Sequence, residues 1–172
     1  MNFKIIILIS VLFSSFTYAD GKPQGVINKE SFCFVNTRTK TQVTFFSDIS
    51  ELEKKLGKSI NGLNEKELTI SWFGMLINVN PQWEYNNSTK KYIVVTDKYL
   101  ITMATIENSD FSTIDGVSIG DDIAKIVKLY GEPYSKTNTI YQYLHNEPEE
   151  VWNLNIFLID GKVNKISIVR GD

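Results

Sequence analysis

The sequence predicts an α+β fold: two helix-plus-antiparallel-sheet repeats, with the sheets joined or adjacent and the helices on one face. Three observations predict it. Two short segments carry apolar residues at helical spacing, most of the remaining chain runs as apolar-rich strands separated by turn residues, and the order helix then strands occurs twice.

The first nineteen residues stand apart from that fold. Met1-Asn2-Phe3-Lys4 is a short positive stretch, Ile5 to Phe16 is apolar apart from serines, and Thr17-Tyr18-Ala19 puts small residues where a signal peptidase reads them. Cleavage after Ala19 is expected, because an apolar run of about twelve residues falls short of the ~20 a helix needs to cross a bilayer. With no cysteine near Ala19-Asp20, the expected product is an untethered periplasmic or secreted protein, soluble after cleavage.

From Asp20 onward about 150 residues remain, enough for one domain of ordinary size or two small units sharing a sheet. Losing Lys4 leaves 17 basic residues against 20 acidic ones, scattered along the chain. No basic stripe points to nucleic acid, and no second apolar run could span a membrane. Cys33 is the only cysteine, so an internal disulfide is impossible and the fold rests on its core. It lies in Ser31-Phe32-Cys33-Phe34-Val35, which reads as a strand, and is either a small buried hydrophobe or the site of an intermolecular bridge.

The first helix is expected from Ser47-Asp48, with Ile49, Leu52 and Leu56 on one stripe and a stop at Gly57. Strands are expected at 43–46 before it, and at 67–73, 75–79, 92–96 and 99–106 after it. The second helix begins at Gly120-Asp121-Asp122, where Asp121 can cap the first amides. It carries Ile123, Ile126, Val127 and Tyr130 at helical spacing and ends at Gly131, with Pro133 beyond. Strands at 139–144, 154–159 and 163–169 follow. Asp160-Gly161 between the last two is a strong hairpin signal, and Asp97-Lys98 holds the corresponding place earlier.

Placed in register, 92–106 and 155–169 align without a gap, and their apolar positions coincide. Upstream, Asp48, Ile49, Leu52, Leu56 and Gly57 match Asp122, Ile123, Ile126, Tyr130 and Gly131. The expected units are therefore 20–110, a first repeat with an N-terminal strand, and 111–172, a second repeat. The second unit, from Gly116 through Gly131-Glu132-Pro133 to the hairpin ending at Ile168, resembles a pattern in small exported bacterial proteins. These are the outer-membrane assembly lipoproteins of the SmpA/OmlA group and the beta-lactamase inhibitor protein family. The resemblance covers 116–169 well and 44–106 weakly. The lipoproteins' N-terminal cysteine and the inhibitor's disulfides have no counterpart here. What the resemblance implies is a non-enzymatic protein that binds another protein on its sheet face.

The catalytic inventory points the same way. His145 is the only histidine and lies in the polar stretch Leu144 to Glu150, which reads as a loop. One imidazole with nearby glutamates is a poor set for zinc, no Gly-x-Ser-x-Gly elbow occurs, and no cofactor or metal is expected. Asp121-Asp122 is better read as a helix start than as an acid-base pair, and two aspartates there would repel a phosphate.

The aromatic residues carry the remaining information. Trp83 and Tyr85 alternate on one strand face, as do Tyr141 and Tyr143, and Trp72 and Trp152 sit in or beside strands. Each faces either the core or a partner, since Tyr and Trp serve both. The strand 154–159 is apolar at both parities, with Leu154, Ile156 and Leu158 on one face and Phe157 and Ile159 on the other. The other repeat or a partner protein must cover the second face. The expected function is an exported, non-enzymatic protein-binding module, an inhibitor, immunity or envelope accessory factor. Trp72, Trp83, Tyr85, Tyr141, Tyr143 and Trp152 are its candidate contacts, and another exported or envelope protein its partner. The alternative is a small exported hydrolase or metal-binding enzyme centred on His145.

Overall fold

The computed structural model describes residues 24–44, 49–57, 68–72, 74–147 and 150–171. The expected signal peptide, its cleavage point at Ala19 and the helix start at Ser47-Asp48 lie outside the described residues. After a 3-10 turn at Lys29–Ser31 come β1 (Cys33–Asn36), β2 (Gln42–Thr44), α1 (Ile49–Leu56), β3 (Thr69–Trp72), β4 (Met75–Asn86) and β5 (Lys91–Ile106). Then follow β6 (Phe111–Thr113), α2 (Ile123–Tyr130), β7 (Ser135–Lys136), β8 (Ile140–Glu147), β9 (Glu150–Ile159) and β10 (Lys162–Arg170). Seven strands form one antiparallel sheet in the order β3-β4-β5-β10-β9-β8-β7, and three form a small sheet, β2-β1-β6. No described helix is long and apolar enough to cross a membrane.

This architecture overturns the expected pair of helix-plus-sheet repeats. The described residues are mostly strand, with two α-helices of eight residues each, and both halves of the chain feed one sheet. The physical reason lies in two turns that look alike in sequence. Asp160 and Gly161 take φ of 50° and 75°, the left-handed pair that a tight hairpin requires and that glycine makes cheap. Asp97-Lys98 has no glycine, and β5 runs through it without reversing. The reversal comes earlier, at 87–90, where the Asn86 side-chain oxygen accepts the amides of Ser88 at 2.9 Å and Thr89 at 3.0 Å. β4 and β5 therefore build one long hairpin, whereas β9 and β10 build a shorter one. β5 also meets β10 directly, pairing Ala104 with Ile168 and Ile106 with Ile166.

The inner face of the large sheet is the core. Across it runs the transverse row Ile70, Ile77, Ala104, Ile168, Leu154 and Tyr143, every member buried. Leu52 of α1, Ile126 of α2 and Phe34, Val43 and Phe111 of the small sheet belong to the same core cluster. Burying each such side chain stabilises the fold by about 1.5–3 kcal/mol, which short helices need because eight residues do not persist as helix in water. Both helices are also tied at their C-terminal ends. Trp72 Nε1 donates to the Gly57 carbonyl at 3.0 Å, and Tyr143 Oη donates to the Gly131 carbonyl at 2.9 Å. Asp121 does not cap α2 as expected. Its carboxylate accepts the Ser118 amide at 2.7 Å and pairs with Lys125, while Asp122 holds the N-cap position without a side-chain cap bond.

Burial raises the hydroxyl pKa of both Tyr143 and Tyr130, whose rings lie 5.2 Å apart, above the ordinary tyrosine value. For Tyr130 the bond it donates to Thr113 works the other way, and for Tyr143 the charge of Glu132 adds to the rise. A raised folded-state value means that folding favours the neutral phenol. The stabilisation is complete below about pH 10, the unfolded tyrosine value, and is lost as pH climbs above it. Alkaline unfolding of the wild type should therefore begin near pH 10 in a circular-dichroism titration. Tyr130→Phe should shift that onset upward; an unchanged onset would remove Tyr130 as a cause.

Candidate protein-interaction surface

The six aromatic candidates separate by where the sheet puts them. Trp72, Tyr143 and Trp152 are buried in the core on the inner face, so they present nothing to a partner, a correction to their expected role. Tyr141 is half-buried and packs against that core, with Lys136 over its ring. Trp83 and Tyr85 are exposed near the end of the β4–β5 hairpin, Trp83 at 59% and Tyr85 at 47%. The structure thus joins Trp83 and Tyr85 on one surface and assigns the others to packing. Tyr92 was not among the sequence candidates. It pairs with Tyr85 across the hairpin, the rings edge to face at 5.2 Å, and is 70% exposed.

His145 lies in β8 rather than in a loop, and it is only 7% exposed. Its Nδ1 is 3.3 Å from the Ile27 carbonyl and its ring packs against Phe32 at 5.9 Å. The segment before it in sequence closes over this place. Ile27 N–H donates to the Leu144 carbonyl and Leu144 N–H to the Gly25 carbonyl, each at 2.8 Å. The imidazole is therefore a packed element of the β8 edge, not a group presented in a cleft. Among the described residues no three His, Cys, Asp or Glu side chains gather where they could hold a metal ion.

The outer face of the large sheet has a different character. One transverse row reads Ser71, Leu76, Thr105, Ser167, Asn155, Gln142 and Ser135, crossing all seven strands, with Thr105 and Ser167 at its middle buried. The neighbouring row reads Thr69, Asn78, Met103, Val169, Asn153 and Leu144. Neither row contains a charged side chain. Since 22% of the chain is charged, about three charges would be expected at these positions, and a water-facing sheet normally collects more. Charge stands at the margin instead. Lys165 lies over the ring of half-buried Phe157 at 4.6 Å and 3.8 Å from Glu107. Ile159, beside it on β9, is 59% exposed. The Gln142 side-chain amide donates to the Asn155 side-chain oxygen at 3.0 Å, which ties the two residues together on the face. Two depressions open at the ends of the first row, one lined by Ser71, Leu76, Thr105, Glu107 and Asn108, the other by Ser135, Thr137, Gln142, Asn155 and Phe157.

Comparison with protein-family models, with curated proteins and with solved structures returned no match to this chain. The surface must be read from its own residues. Sequence reasoning found Phe157 and Ile159 through the double-sided apolar pattern of β9. It missed the uncharged rows, which become visible only once seven strands are in register.

Proposed function

We propose that this chain is an exported, non-enzymatic protein-binding module that engages another exported or envelope protein through the outer face of its large sheet. An inhibitor, immunity or envelope accessory role fits such a module. The observation that carries the reading is the pair of adjacent uncharged rows across the sheet, because depletion of charge is what distinguishes the centre of a protein interface from ordinary surface. The amides of Asn153, Asn155 and Gln142 and the hydroxyls of Ser71 and Ser135 there supply adaptable hydrogen bonds, while Leu76, Met103 and Val169 supply apolar contact around the buried Thr105 and Ser167. The apolar leader at residues 1–19 supports export and release into the compartment where such a partner would be met.

The test is to place a charge in the rows. Leu76→Lys and Asn153→Lys should each weaken capture of a protein from envelope extract by about thirtyfold or more, since an unpaired charge buried in an interface costs at least about 2 kcal/mol. Thermal unfolding should change little, because both residues are partly exposed. Equal capture by wild type and both variants would refute the assignment of this face. An activity abolished by His145→Ala in a protein of unchanged stability would refute the non-enzymatic reading.

A further inference from the structure

The outer end of the β4–β5 hairpin is a second surface with its own chemistry. Val79 and Ile101 are the last buried pair; beyond them no other described strand flanks the ribbon, which runs on to Asn86 and Lys91 for roughly 20 Å. The register makes it two-faced. Trp83 opposite Val94 and Tyr85 opposite Tyr92 share one face, all exposed, while Glu84 opposite Ile93 and Asn86 opposite Lys91 share the other. Lys90, held at φ 54°, and Lys91 form the tip, and no described acid pairs with either.

We infer that this ribbon seats on an anionic lipid surface, with the aromatic face at headgroup level and Lys90 and Lys91 against the phosphates. Charge favours this occupant. The chain has a formal net charge of -2, yet the turn that ends this hairpin bears two lysines, and in sequence the acids of the ribbon, Glu84 and Asp97, stand six or more residues from them. Area weighs against a second copy of the chain. At their observed exposures Trp83, Tyr85, Tyr92 and Val94 offer roughly 450 Å², well short of the ~800 Å² per partner of a stable protein interface. A membrane interface has no such threshold. Tryptophan and tyrosine favour the headgroup layer, where an apolar ring and a polar handle are both accommodated. Water in that layer also satisfies the free backbone edges of a two-stranded ribbon, which the hydrocarbon interior would not.

The experiment is sedimentation of the protein, purified from exporting cells, with vesicles of phosphatidylglycerol mixed with phosphatidylcholine and with vesicles of phosphatidylcholine alone. Binding is expected to the anionic vesicles and to be strongly reduced on the neutral ones. The double variant Lys90→Gln/Lys91→Gln should lose about thirtyfold, at about fivefold per lysine near an anionic surface. Trp83→Ser should weaken binding as well, and the wild-type tryptophan emission should shift to the blue on binding as Trp83 leaves water. Leu76→Lys, which tests the sheet face, should leave vesicle binding unchanged, so the two readings fail separately. Absence of binding to anionic vesicles, or binding indifferent to both ribbon variants, would overturn the inference. A wild-type dimer in analytical ultracentrifugation that Trp83→Ser dissolves would assign the ribbon to a second copy instead.

Discussion

Trp72→Ala is expected to lower unfolding stability by about 4 kcal/mol, whereas Trp83→Ala should change it by no more than about 0.5 kcal/mol. The two residues lie eleven positions apart in an aromatic-rich stretch, but their surroundings differ completely. Trp72, the last residue of β3, has no exposed surface, lies in the core, and holds the Gly57 carbonyl just past α1 through its indole N–H. Alanine would leave a cavity and release α1, and no disulfide constrains the unfolded chain to soften the loss. For a domain whose total stability lies in the usual range of about 5–15 kcal/mol, that loss brings the variant near its threshold at physiological temperature. Urea unfolding followed by far-ultraviolet circular dichroism measures it directly. Similar midpoints for the two variants would contradict the placement of Trp72.

Gly25→Ala should produce the second large effect, through backbone contact rather than a cavity. A Cβ built on Gly25 falls 1.9 Å from the Tyr134 backbone nitrogen, and the residue has φ of +71°. No side-chain rotation relieves a contact with backbone, so the segment 24–27 must lift off β8. The bonds joining Ile27 and Gly25 to Leu144 would go with it, and Ile27 and His145 would lose their cover. The expected loss is about 2 kcal/mol or more. Hydrogen exchange resolves it locally, because the Leu144 amide, which donates to Gly25, should lose protection well before the amide of Ala104 at the centre of the sheet. Undiminished protection at Leu144 would show that the segment tolerates the methyl group.

The sequence was legible where local physics decides the outcome. α2 could be read from Ile123, Ile126 and Tyr130 and from Gly131 followed by Pro133; the β9–β10 hairpin could be read from Asp160-Gly161. It was illegible where two local patterns compete. Asp97-Lys98 resembles a turn, yet sheet pairing kept the chain extended through it, and the polar run 86–90 became the turn instead. Pro81 lies within β4 although proline cannot donate to a ladder. Among the described residues, no strand pairs with the other flank of β4 beyond Val79, where the Val79 N–H donates to the Leu68 carbonyl. The candidate surface was less legible still. Trp83 with Tyr85 and Tyr141 with Tyr143 have the same alternation, and period two states that neighbours share a face without stating which face is inside. One pair came out exposed, while in the other Tyr143 is buried and Tyr141 half-buried. The uncharged rows draw one or two residues from each of seven strands, so no local window contains them.

The position of β10 has a further consequence, for the order of assembly. β10 follows every other strand in sequence, yet it occupies the middle of the sheet, between β5 and β9. Until it is available, β3-β4-β5 and β7-β8-β9 are two separate pieces with an open edge facing each other, and neither can complete the core row that runs through Ile168. A chain emerging from the ribosome cannot close its fold before 162–170 appear. Late closure of this kind keeps residues 24–161 from completing the core before the chain is nearly whole, and under the proposed export it would keep the chain threadable until then.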